Sequence, residues 1–257
     1  MLPSVLSEHL CSLLENEGRF AFCMDVFIKD YKIIDIKFSN VIIKVSKNYI
    51  YDEPSLLENK DYKNVKKTIS MMCREYKYIK SVTDSHDVVA FLMILMNHEC
   101  AKILVEHKTG IYRNLKMKDN SSSIMNIPDE IYNFVKIWQC SCGSYDIYKE
   151  DNGHELIGSE TSAYIHITSP IRRLVDLLNI VKIQEKLNII TVNENLSRFY
   201  CNWIDNLDYI NTSMRAIRKV QIDCNILDMC SKNAKMLETE YHGYLFDKVL
   251  RDNKFHQ

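Results

Sequence analysis

Tyr164-Ile165-His166-Ile167-Thr168-Ser169-Pro170-Ile171-Arg172-Arg173-Leu174-Val175-Asp176 decides how this chain is read. Ser169-Pro170 stops whatever precedes it, because the residue before a proline is pushed out of the helical region. Pro170 then suits the first position of a new helix, where its missing N–H costs nothing, and Thr168 or Ser169 is placed to cap it. Beyond it, Ile171, Leu174, Val175, Leu178, Ile180 and Val181 recur at helical spacing. Arg172 and Arg173 fall in the first turn, the wrong end of a helix for cations, since its free amides already make it positive. An anion at the same spot would explain both, because helix amides and a forked guanidinium together make a phosphate site. The other reading is internal: one of the two arginines pairs with Asp176 or another carboxylate.

Working outward, Arg19 to Lys29 alternates Phe20, Phe22, Met24, Val26 and Ile28 with smaller or more polar residues, the period of a strand. Asp30-Tyr31-Lys32 turns it, Ile33 to Phe38 forms a second strand and Val41 to Val45 a third, an antiparallel meander. Helices are expected after Pro54, over Asp61 to Tyr78 and, strongly apolar, over His86 to Leu104. Lys116 to Ile127 reads as a polar loop, Pro128 to Trp138 as a helix, and Tyr145 to Gly158 as an irregular lead into the Ser-Pro turn. Two further helices follow, Glu194 to Ile210 and Asn211 to Lys235. On the second, Arg215, Arg218 and Lys219 share a face, either a solvated surface or a stripe that tracks phosphates. The fold class is α+β, an antiparallel β meander packed with long helices.

The chain has 257 residues, 46% hydrophobic and 26% charged, with 6 glycines and 4 prolines, a composition ordinary for a globular protein and free of low-complexity tracts. Its formal net charge is −1, so nucleic-acid contact requires a local basic surface rather than a global field. The nine cysteines are scattered, which suits a reducing intracellular setting, cytoplasmic in a cell or in the host of a virus. Cys140 and Cys142 with Cys224, Cys230 or a histidine have poor spacing for zinc, and no metal site is expected from them. No apolar run reaches the ~18 residues a membrane span needs.

The quoted stretch resembles the S-Y-x-H-F-T-S-P-I-R-R-Y-x-D-L signature of the ribonuclease II/R family, the RNB-domain 3′→5′ exoribonucleases, with Leu174 where the family has an aromatic ring. Met1-Leu2-Pro3, Leu6-Ser7 and Leu10-Cys11-Ser12-Leu13 are similar to the family's M-L-P-x-x-L-S-x-x-L-C-S-L element. Ser46 to Glu53 resembles S-x-x-x-[LF]-x-Y-[DE], whose tyrosine is Tyr51 here. Val89 to Glu99 resembles V-E-E-F-M-x-x-A-N-E without the acidic pair but with Asn97, and Gly110-Ile111-Tyr112-Arg113 matches G-I-Y-R. Gly153-His154 lies near the family's G-H-F-G-L position. Residues 1–240 thus look like the C-terminal portion of an RNB domain, and 241–257 like the start of a truncated S1/OB strand.

The resemblance implies hydrolysis of single-stranded RNA. Arg172 is then expected to grip the phosphate at the scissile bond and Tyr51 to orient it, with Arg173, Ser169, Thr168, Tyr164, Arg215, Arg218 and Lys219 as further RNA contacts. It also implies Mg²⁺ held by an A-x-S-I-D-x-x-x-x-x-D-I-D-D-A segment. This sequence has no such segment; the nearest acidic cluster is Asp205-Asn206-Leu207-Asp208. The chain is therefore expected to be half of a split exoribonuclease, inactive alone and partnered by a chain bearing the N-terminal half of the domain. The alternatives are an inactive RNA-binding or scaffold remnant and, least in keeping with the signature, a helical interaction protein.

Overall fold

The computed structural model describes residues 2–76, 78–114, 143–150, 163–240, 249–251 and 254–256. The helix expected over Pro128 to Trp138, His154, Cys140, Cys142 and most of the strand-like 241–249 segment lie outside them. The chain divides into two compact units, Met1–Ile210 and Asn211–Gln257.

In the first unit a π-helical turn, Val5–Leu10, precedes a long antiparallel hairpin of β1 (Gly18–Lys29) and β2 (Lys32–Lys44). The expected three-stranded meander is in fact two strands. Ser39 and Asn40 do not turn the chain: they stay in register opposite Cys23 and Phe22, and the Asn40 and Gln184 side chains exchange hydrogen bonds of 3.0 and 3.4 Å. The α+β class holds. Asp30 and Tyr31 close the hairpin with φ of 51° and 62°, both left-handed as a two-residue type I′ turn requires. A register irregularity between Phe27 and Ile28 adds local twist.

The apolar face of the hairpin lies over helices α2 (Lys60–Met72) and α3 (Ser85–Glu106), which follow the short α1 (Pro54–Glu58). Phe22 and Phe38 pack on one core cluster with Cys100, Leu104, Tyr112, Ile165 and Ile183. Met24, Val26 and Ile33 pack on another with Ile69, Met72, Val88, Phe91 and Leu95. At the open end of the hairpin the same face runs past the core: the cross-strand pair Phe20 and Ile42 is 86% and 72% exposed.

Asp84 and Asp87 start α3 with a capping box, satisfying two of the free amides of its first turn. By length and composition this helix could cross a membrane. Here it is the central core helix, with nine buried residues that include Asn97 and His98. Strands β3 (Ile111–Asn114) and β4 (Ser144–Ile147) pair antiparallel beside it. Helix α4 (Leu174–Lys186) packs against both α3 and β3. Helices α5 (Glu194–Asp205) and α6 (Leu207–Lys232) complete the described helical part; the break falls at Asn206, whose amide side chain donates back to the Asn202 carbonyl at 2.7 Å. Residues 249–251 and 254–256 form a short hairpin, β5 and β6, in the second unit.

Candidate functional site

The signature segment lies alongside β3, joined to it by one isolated bridge. Ile165 bridges Tyr112, and the Arg113 amide donates to the Tyr164 carbonyl at 2.7 Å. Two fully buried asparagines fix it from the helices. On α3, Asn97 donates to the Tyr164 hydroxyl at 2.7 Å and accepts from the Ile167 amide at 3.0 Å. On α4, Asn179 accepts from the Ile111 amide and donates to the Ile111 carbonyl, both at 2.9 Å, and also donates to the His166 carbonyl at 3.1 Å. An amide side chain in such a place acts as a piece of strand, with a donor and an acceptor matched to the backbone. The Tyr145 hydroxyl bonds the His166 Nδ1 at 2.7 Å. Burial pushes the Tyr145 and Tyr164 hydroxyls above their ordinary range, so both stay neutral.

After this segment the chain turns at Ser169. The amides of Arg172 and Arg173 both donate to the Ser169 carbonyl, at 3.2 and 3.0 Å. Arg173 is then extended, with φ −128° and ψ 118°, and α4 begins only at Leu174. Pro170 therefore sits in a separate turn rather than at the first helical position, and neither Thr168 nor Ser169 caps the helix. The anion at the helix start is the protein's own. Asp176, fully buried, accepts on Oδ2 from the Ser169 amide at 2.8 Å and from the Arg173 Nη2 at 2.9 Å, and its Oδ1 lies 2.8 Å from the Arg173 Nε as an ion-pair contact. Burial pushes its carboxyl above the ordinary range, while the Arg173 guanidinium and the Ser169 amide pull it back.

Arg172 differs from its neighbour. It is exposed and, among the described residues, its one side-chain hydrogen bond is to the Ser169 hydroxyl at 3.2 Å, which uses one of its five donors. The Thr168 hydroxyl is buried with no hydrogen-bond partner among the described residues. The Leu2 amide donates to the Ile171 carbonyl at 2.9 Å, so the Met-Leu-Pro element meets this turn.

Tyr51 stands elsewhere in the same unit, about half exposed, stacked on His86 with ring centroids 3.7 Å apart. It makes no recorded contact with Arg172 among the described residues. The next residue, Asp52, has φ 56° and exchanges hydrogen bonds with Ser85 at 3.0 and 2.9 Å, which ties the Tyr51 turn to the start of α3. In the second unit Arg215 and Lys219 are exposed and Arg218 partly so; none of the three has a carboxylate partner among the described residues, and Arg215 touches only the Thr212 hydroxyl at 3.3 Å.

Mg²⁺ takes about six oxygen ligands. Among the described residues one group brings three metal-binding side chains together: Asp52, Asp84 and His86, with ligand atoms within 4.8 Å. Asp52 is engaged by the Ser85 amide and Asp84 by the Asp87 amide at 2.9 Å, and the third donor is an imidazole, better suited to transition metals. This set does not fit the aspartate cluster that the resemblance implies.

Sequence reasoning singled out Arg172 and Tyr51 and left the partner of Arg173 open. It missed Asn179, whose signal was an amide at the centre of the apolar run Leu178-Asn179-Ile180.

Residues 1–81 match the family model described as the RNB domain. The signature that first suggested the family lies outside that span, so the two lines of resemblance are separate. A curated relative, Ribonuclease R of Buchnera aphidicola subsp. Schizaphis graminum (strain Sg), is 23% identical across 78% of this chain and 36% of its own length. The apo form of Mycoplasma genitalium RNase R superposes with a TM-score of 0.55 at 16% identity, over 87% of this chain and 45% of that one. Mycoplasma genitalium RNase R in complex with ribose methylated single-stranded RNA gives 0.49 at 15% identity, over 85% and 48%. The chain thus resembles the RNB ribonucleases in sequence and in fold, and it spans less than half the length of each of these relatives.

Proposed function

We propose that this chain supplies the phosphate-gripping part of a 3′→5′ exoribonuclease acting on single-stranded RNA, with the metal-binding aspartates contributed from outside residues 1–257. The observation that carries this reading is the contrast at the Ser169 turn, where Arg173 is paired with Asp176 while Arg172 is exposed and, among the described residues, bonds only the Ser169 hydroxyl. A guanidinium so presented takes a phosphate with two parallel hydrogen bonds, and the Ser169 and Thr168 hydroxyls lie on the same turn. The Leu2–Ile171 hydrogen bond brings the family's Met-Leu-Pro element beside Arg172. In the resemblance the aspartate segment precedes that element, so carboxylates entering there would reach the same phosphate. Tyr51 orients substrate from its turn against α3, and Arg215, Arg218 and Lys219 track the strand. Mg²⁺, where bound by the companion's carboxylates, would supply the charge stabilisation of hydrolysis.

The second reading, an RNA-binding remnant without activity, is favoured by the poor fit of Asp52, Asp84 and His86 to the expected metal set. Both are tested with a 5′-labelled poly(A) oligomer, Mg²⁺ and the purified chain, beside Arg172→Ala. The split reading expects no shortening by the chain alone, stepwise shortening once a polypeptide bearing the aspartate segment is added, and its loss in Arg172→Ala. Stepwise shortening by the chain alone overturns it; binding with no cleavage under any pairing leaves the remnant.

A further inference from the structure

We infer that Asp176 is a positioning residue that divides the labour of two adjacent arginines, keeping Arg173 inside the fold so that Arg172 alone meets the anion. This rests on the reading of Arg172 as a phosphate ligand and adds what selects it. Asp176 projects from the first turn of α4 and is 0% exposed. Its Oδ2 accepts from the Ser169 amide at 2.8 Å and from the Arg173 Nη2 at 2.9 Å, and its Oδ1 lies 2.8 Å from the Arg173 Nε in the same ion pair. The Ser169 amide is where the signature segment ends, and Arg173 immediately precedes α4, so one carboxylate closes the loop between them. Residues 170–172 are left as a short arch. Its middle is pinned by Leu2 at the Ile171 carbonyl, and its last residue, Arg172, is exposed.

The negative charge of Asp176 also suits its place at a helix start. The fold thereby uses the helix dipole on its own side chain, and the external anion is left to the guanidinium. Two neighbouring cations of the same type would otherwise compete for one phosphate and blur its register. With Arg173 neutralised, the turn offers a single forked donor at one fixed point.

The test is the reactivity of the two arginines toward phenylglyoxal, mapped by mass spectrometry on the intact chain. Arg172 is expected to be modified and Arg173 protected; in Asp176→Asn, Arg173 becomes reactive. A loss of structure alone would expose both arginines together with the rest of the chain, so retained far-UV circular dichroism with selective gain at Arg173 is the signature of positioning. Equal reactivity of Arg172 and Arg173 in the unsubstituted chain overturns the inference, and that comparison stands even if Asp176→Asn does not fold.

A fluorescent oligo(A) titrated across a salt series provides the second arm. Arg172→Gln is expected to flatten the slope of log K against log salt by about 0.7, one phosphate of a single strand. Asp176→Asn is expected to weaken binding about tenfold. If oligo(A) does not bind at all while the phenylglyoxal contrast holds, the RNA reading fails and the division between the arginines stands.

Discussion

Asn179 is the residue on which the site most visibly depends. Its side chain makes three hydrogen bonds, two to Ile111 and one to His166, from a fully buried position. Asn179→Ala leaves those backbone groups without partners and is expected to cost about 3 kcal/mol, read as a lower urea midpoint at unchanged slope. A second residue-scale prediction concerns acid. Hydrogen bonds from the Thr83 hydroxyl and amide hold the Asp87 carboxyl below the usual range, and those from Ser85 do the same for Asp52. Their folded pKa values lie below the unfolded one, about 3.9 for an aspartate. The stabilisation is therefore present above that pH and lost as pH falls through the folded values. Helicity followed by circular dichroism should fall in that acid window, and Asp87→Asn should flatten the dependence.

At the scale of elements, the hairpin and α3 were legible because their signals are periodic and long. The alternation Phe20 to Ile28 sets β1, and the apolar repeat from Val88 to Leu104 sets α3. What misled was local chemistry overridden by a distant partner. Ser39-Asn40 looks like a break, yet Asn40 finds Gln184 across 144 positions of sequence and the strand continues. Pro170 looks like a helix start, but Asp176 claims the Ser169 amide and Arg173, and the helix waits until Leu174. The site was half legible for the same reason: the sequence presents Arg172 and Arg173 as equals, and only the fold assigns one to Asp176. The overhanging pair Phe20 and Ile42 leads to its own expectation. Both are exposed and neighbours across the hairpin, an apolar patch that favours association. Phe20→Lys with Ile42→Lys should reduce concentration-dependent self-association in sedimentation without lowering the melting temperature.

At the scale of the whole molecule, the two units differ in how they are held. The first owns both described core clusters. In the second, α6 leaves Ile217, Val220, Leu227 and Met229 between 52% and 69% exposed, so its backbone hydrogen bonds are shielded by little besides themselves. Amide exchange should therefore be slowest along α3 and faster by orders of magnitude along α6 beyond Asn211. Equal protection in the two helices would show that α6 is covered in solution.

The hydrogen bond from the Leu2 amide to the Ile171 carbonyl makes the amino end a reporter. Whatever is joined upstream of Leu2 leaves the fold next to Arg172. A bulky purification handle placed there would crowd the guanidinium and weaken oligonucleotide capture, while a small dye at the same point would sense an arriving strand by quenching. A handle at the other end makes the fair control, and the difference between the two would measure how near the first residues lie to the bound chain.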